Sequence, residues 1–261
     1  MLITRSITAA VATIAIATAA ALSLAPIAAE EAPKPQSYKP IPITPPQPVK
    51  DPSFATFRKQ IAEIAQRKDR AALAKHVAAS FFWTGEDGKE IAEKARSGVD
   101  NLARAFYLDN PDTEGWEMLA TFAAEATADP HTERKGVICG PGEPKYDSAA
   151  VTELGERTST TFTSWYYPAR DGLEVRGGLP RNSPVVGKLG MHLVWIYPDE
   201  SPAGAVNTEV VRIVLPSGKF GYVAADALIP LPGDVLCYVK EGNAWKLAGF
   251  IGGLSPDTPT K

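Results

Sequence analysis

The stretch from Leu173 to Leu228 narrows most what this chain can fold into. Leu173, Glu174, Val175 and Arg176 alternate apolar and charged, and Gly177 and Gly178 follow at once. Val185 and Val186 precede Gly187. Leu193 to Tyr197 and Glu209 to Leu215 read as strands, and Pro216, Ser217 and Gly218 make a tight turn into Phe220 to Val223. Short β-branched and aromatic runs punctuated by Gly, Pro, Asn and Asp are the pattern of a small all-β barrel. Alternation then points Leu173 and Val175 inward and Glu174 and Arg176 outward. The polar segment 199–208 (DESPAGAVNT) is an exposed loop between strands.

This stretch resembles the bacterial SH3-like domain of exported proteins. Leu173, Val175, Arg176, Gly177, Pro180, Ser183, Pro184, Val185, Val186 and Gly187 follow the family's opening pattern, LNVRSGPSTSSPVIG, nearly position for position. Gly218, Gly221, Tyr222, Val223 and Leu228 match its closing G-x-x-GWV…L, with Tyr222 where tryptophan is usual. Gly178 and Leu179 stand in for the family's Ser-Gly. The resemblance covers roughly residues 171–229. It implies a barrel that recognises peptides in an aromatic-lined groove.

Two further strands follow, Asp234 to Tyr238 and Trp245 to Gly252, turning around Gly242 and Asn243. This hairpin extends the sheet or clamps the barrel to what precedes it. It carries Cys237, and the chain's other cysteine, Cys139, lies where helical spacing stops and the β half begins. In an exported chain with two cysteines a Cys139–Cys237 disulfide is the default, and free buried thiols are the alternative.

Export is read from the first 29 residues: Arg5 supplies the positive start, Ile7 to Leu24 is an uncharged run, and small residues follow at Ala25, Ala28 and Ala29. Cleavage after Ala29 or Ala25 is expected, the alternative being a retained anchor. No cysteine lies near the cut, which closes the lipoprotein route. Residues 30–52 are rich in proline, from Pro33 and Pro35 to Pro48 and Pro52. Such a run favours polyproline II and is expected to act as a semi-rigid spacer, or as a ligand for a partner.

Residues 53–130 read as helical. Phe54, Phe57, Ile61, Ile64 and Ala65 share a face behind a cap at Asp51 or Ser53. A short helix begins at Asp69, Phe81, Phe82 and Trp83 form an apolar knot, and further helices span Lys89 to Leu108 and Glu114 to Ala128. The run from Phe54 to Thr84 resembles the start of the cone-shaped α+β domains of the nuclear-transport-factor-like superfamily. No following sheet is legible, so a small all-helical unit is expected. The whole is thus α+β and two-part: an export signal (1–29), a linker (30–52), a helical domain (53–130), an SH3-like β domain with an added hairpin (137–253) and a disordered tail (254–261).

A formal charge of −3 offers no counterion-release advantage on nucleic acid. Two cysteines and three histidines supply little for a metal site, and no cofactor fingerprint occurs. A Cys-His peptidase needs Cys139 or Cys237 as a thiolate beside His131, His76 or His192, and a disulfide would consume both. No Gly-x-Ser-x-Gly elbow occurs, and Glu153, Glu156 and Asp171 read as scattered surface acids. His76 and His131 read as helix-associated histidines without chemistry. The expected role is therefore non-enzymatic: a periplasmic binding or adaptor protein for a peptide, a cell-wall component such as peptidoglycan, or an envelope protein. A stability factor without a groove ligand and a cell-wall hydrolase are the alternatives. No integral membrane association is expected after signal cleavage. The candidate ligand-binding residues are Tyr166, Tyr167, Arg176, Arg181, Trp195, Tyr197 and Tyr222, with Trp195 and Tyr197 leaning outward. The two arginines would pair with a stem-peptide carboxylate.

Overall fold

The computed structural model describes residues 34–85, 87–112, 114–179, 182–198, 210–231 and 233–253. The export signal, Arg181, the 199–208 loop and the 254–261 tail lie outside them. Asp51 starts the first helix, α1 (Pro52–Gln66), by accepting a hydrogen bond from the Ser53 amide, with Pro52 in the first turn where its missing N–H costs nothing. The apolar face is the one the spacing predicts: Phe54, Phe57, Ile61, Ile64 and Ala65 are all buried. Asp69 caps α2 (Arg70–Ala74) in the same way.

The next segment is a strand, β1 (Val77–Thr84), which absorbs the whole aromatic knot. The helix expected from Lys89 forms only as α3 (Gly98–Ala105), capped by Ser97. Residues 90–93 are instead held by β1 and α3. Ile91 donates its amide to Trp83, Trp83 donates to the Glu90 carboxylate, and Asn101 exchanges bonds with the backbone of Glu93. These tertiary bonds outweigh a weak local helical preference. Then come α4 (Gly115–Ala124), the short β2 (Asp129–Pro130), β3 (Val137–Gly140) and α5 (Ser148–Thr158). Helix α5 corrects the expectation that helical spacing ends at Val137: Asp147 caps it, and Val151, Leu154 and Thr158 are its buried face.

A run of strands follows: β4 (Trp165–Pro168), β5 (Leu173–Arg176), β6 (Val185–Leu189), β7 (Val194–Ile196), β8 (Val210–Val214), β9 (Phe220–Ala224) and β10 (Leu228–Pro230). The hairpin β11 (Val235–Glu241) and β12 (Ala244–Ile251) ends the described chain. Two sheets result, one five-stranded in the order β1-β12-β11-β3-β2 and one seven-stranded in the order β10-β4-β7-β8-β9-β5-β6. The fold is mixed α+β, with β structure dominating the C-terminal part. Among the described residues no pairing joins β6 to β10, so the second sheet is not a closed barrel.

The helical segment is not a unit with its own core. Strand β1 runs parallel to β12, with Phe82 opposite Gly249 and Trp83 opposite Phe250. A side chain at 249 would strike the Phe82 ring, which fixes that position as glycine. Helix α1 packs its aromatic residues onto the returning hairpin, Phe54 meeting Tyr238 edge-on at 4.9 Å. Lys240 pairs with Asp51 at 2.8 Å and Trp245 donates to Ser53 at 3.0 Å, pinning the start of α1 to β11 and β12. The helices lacked a legible sheet because that sheet is completed from residues 235–251. Of the two roles expected of the hairpin, extending the second sheet is not the one observed: it belongs to this other sheet, with β1 and β3.

The expected disulfide is present: Cys139 and Cys237 face each other across β3 and β11 with Cα atoms 4.0 Å apart. The proline-rich segment, expected as a spacer, packs onto the fold instead. Tyr38, Ile41 and Ile43 are buried. The Tyr38 amide donates to Pro216, Ile43 donates to Met191, Thr44 exchanges both bonds with Lys145, and Val49 donates to Ala126. A polyproline-like chain is already extended, so it can be laid along sheet edges while the residues between its prolines supply the donors.

Two measurements check this account. Replacing both cysteines by serine should lower unfolding stability by about 4 kcal/mol in urea titrations, since the bridge closes a long loop. Equal midpoints for the oxidised and serine forms would contradict it. Tyr38→Ala should cost about 3 kcal/mol or more, and Tyr38→Phe about 1 kcal/mol through loss of the bond to the Val214 carbonyl. A free spacer would leave both variants at wild-type stability.

Candidate functional site

Strand β7 shows that much of the expected aromatic strip is buried. Its two faces were expected to divide into one buried and one exposed, yet Leu193, Val194 and Trp195 are all at most 1% exposed and Tyr197 is 7% exposed. Val194 enters the core of the second sheet with Val175, Ile213 and Val223. The opposite face is covered by the proline-rich segment. Tyr38 meets Trp165 edge-on at 5.2 Å, and the ring series continues through Trp195 and Tyr197 to Phe220. The outward lean expected of Trp195 and Tyr197 is therefore corrected: both are buried, Trp195 beside Trp165 and Tyr197 against Phe220 and the Arg212 guanidinium. Tyr167 is also buried, and loss of solvent, helped by the Glu125 charge, pushes its phenol up to about 12. Tyr166 stays half-buried between β7 and β10, to which β4 pairs.

Arg176 and Tyr222 are brought together. They are direct partners across the β5–β9 pair and line one side of a cavity of about 660 Å³. Alternation along β5 turns Glu174 and Arg176 away from the buried Leu173 and Val175, as expected. Arg176 is held in place by donating to the Ser183 carbonyl at 2.9 Å, and its other arm lies 3.3 Å from Glu174. Arg170, from the turn before β5, and Asp226, from the 3-10 turn Ala225–Ala227 after β9, complete the charged lining. Leu179 supplies an apolar wall and is half exposed. Sequence reasoning missed Arg170 and Asp226. Neither sits in a strand pattern, and only the pairing of β5 with β9 places both beside Tyr222.

The lining thus sets two guanidinium groups and two carboxylates around a tyrosine. Ion pairs at this degree of exposure contribute little to stability, so the groups remain usable by a ligand. A cavity of this size with convergent polar groups falls in the range of small-ligand pockets. Neither cysteine can act as a nucleophile in the oxidised protein, because no cysteine is free. Among the described residues no group of three His, Cys, Asp or Glu side chains is placed to hold a metal ion. No described helix is long and apolar enough to cross a membrane. No protein-family model, curated protein or solved structure matches this chain.

His76 sits at the junction of α2 and β1, its ring 5.9 Å from that of Phe57. Burial, then the nearby charges of Lys246 and Lys75, lowers its pKa below the ordinary histidine value. A base whose folded pKa is depressed stabilises the fold while neutral. That contribution is complete above the unfolded value and is lost as pH falls below about 6.5 toward the folded value. Unfolding stability should therefore decline as pH falls below about 7. His76→Gln should flatten that decline in urea titrations at stepped pH; an unchanged slope would show that the histidine is not responsible.

Proposed function

We propose that this protein is an exported, non-enzymatic binding or adaptor module of the cell envelope. In this reading the second sheet is an SH3-like domain that holds a short zwitterionic peptide, such as a peptidoglycan stem, in the Arg176–Tyr222 pocket. The observation that carries it is the lining itself, two arginines and two carboxylates converging on one tyrosine. A peptide bearing both a free carboxylate and a free amine satisfies both signs of charge, whereas a neutral sugar or a polyanion satisfies neither or one. The SH3-like reading is supported by where the family-like residues fall. The opening motif spans β5, the following turn and β6, while the closing motif runs through β9 and the 3-10 turn into β10. The disulfide is compatible with an oxidising compartment and so supports export.

The rival reading, a stability factor with no groove ligand, draws on the aromatic face already filled by Tyr38 and its neighbours. The two separate in a calorimetric titration of the intact protein with a peptidoglycan stem peptide and with its C-terminal amide. Binding of the acid, at least tenfold weaker for the amide, and a similar loss in Arg170→Gln and Tyr222→Ala, is the expected result. Absence of binding, or binding indifferent to both variants, would remove this reading and leave the stability factor.

A further inference from the structure

A second cavity, of about 670 Å³, opens beside α4, and none of its lining residues is shared with the Arg176–Tyr222 pocket. Its floor is apolar, made by Phe106, Met118 and Phe122. The floor is fixed from below, because Phe122 meets both Phe106 and Phe250 edge-on at 5.8 Å. Gly115 lets the first turn of α4 rest against the Phe106 carbonyl, where any side chain would collide, so the wall toward α3 is set by backbone packing. Tyr107 stands at the lip, 44% exposed.

The rim carries one sign of charge. Glu114 and Glu117 are exposed on it, Glu125 is half-buried, and among the described residues no lysine, arginine or histidine lines the cavity. Glu125 is already engaged, accepting from the Thr127 amide and hydroxyl at 2.8 Å. Arg58 and Arg104 flank the region, but Arg58 donates to the carbonyls that end α4 and Arg104 pairs with Glu93 at 2.7 Å. An apolar floor under an acidic rim suits a guest that presents a large aliphatic or aromatic side chain next to a cation. Insertion into the floor supplies most of the affinity, and the exposed carboxylates choose the sign of the guest.

We propose that this cleft is a docking site for a lysine- or arginine-bearing amphipathic segment of a partner protein, separate from the peptide pocket on the second sheet. It does not rest on the SH3-like reading and survives that reading's failure.

The methionines make the test local. Met118 lies in the cleft floor, whereas the Met191 carbonyl accepts from Ile43 under the proline-rich segment and reports on the other half. With the full chain labelled at its methionine methyl groups, an amidated leucine–lysine peptide of helical spacing should shift the Met118 resonance saturably and leave Met191 unmoved. A leucine–glutamate peptide of the same length should not. The double variant Glu114→Gln/Glu117→Gln, altered only at exposed positions, should weaken the leucine–lysine peptide by about three- to tenfold, at up to about fivefold per exposed pair. Added salt should weaken it further. The proposal is overturned if Met118 does not respond to the leucine–lysine peptide. It is equally overturned if the acidic peptide shifts Met118 as strongly, or if the double variant binds as tightly as the native chain.

Discussion

The parallel pairing of β1 with β12 is the contact on which the rest of the molecule depends. Parallel neighbours need a crossover, and here the crossover is nearly everything between residues 85 and 243, including the whole second sheet. Until β12 arrives, two partners of β1 are missing: Phe82 needs the bare backbone of Gly249, and the Trp83 indole needs the Gly252 carbonyl at 3.0 Å as acceptor. The core that α1, α3 and α4 share with β1 is likewise completed only by Leu236, Tyr238, Leu247 and Phe250 of the hairpin. The Cys139–Cys237 bridge lies one strand away and ties the same closure covalently. Contacts so distant along the chain are slow to form, so the hairpin is expected to dock late.

The proline-rich segment has a related effect on the second sheet. Proline withholds donors, and that property usually marks a spacer, but the residues between these prolines place an amide or a side chain against whichever sheet lies beneath. Tyr38 does both, with its amide on Pro216 and its hydroxyl on Val214. By meeting Trp165 edge-on it makes part of the aromatic face interior. The Arg176–Tyr222 pocket lies on that same face, farther across the sheet, where β5 meets β9.

How much of this was legible depends on the reach of each interaction. Helix α1, its cap at Asp51 and its buried stripe were all readable, because cap and stripe are local. So was the turn from Ser217 and Gly218 into β9. Helix α5 carried the same kind of signal, an Asp147 cap ahead of Val151 and Leu154, and was masked by the β texture on either side. The stretch at 89–97 had helical spacing but lost to bonds from Trp83 and Asn101. In the site, Arg176 and Tyr222 were marked by their motif positions, whereas Arg170 and Asp226 lie in turns whose geometry depends on strands paired elsewhere. Trp195 and Tyr197 were read on the correct strand and assigned the wrong environment, since alternation describes a sheet with one open face and this one has none there.

The amino-acid sequence by itself determined local features such as α1 and its cap, and left its two cysteines one possible partner each, because caps, periodicity and cysteine count act over a few residues or by elimination. Only the tertiary structure decided which sheet the last hairpin joins, whether the proline-rich segment is tether or covering, and which polar groups share a pocket. Those outcomes turn on burial and on backbone groups paired with partners far along the chain, and nothing local to either partner records them.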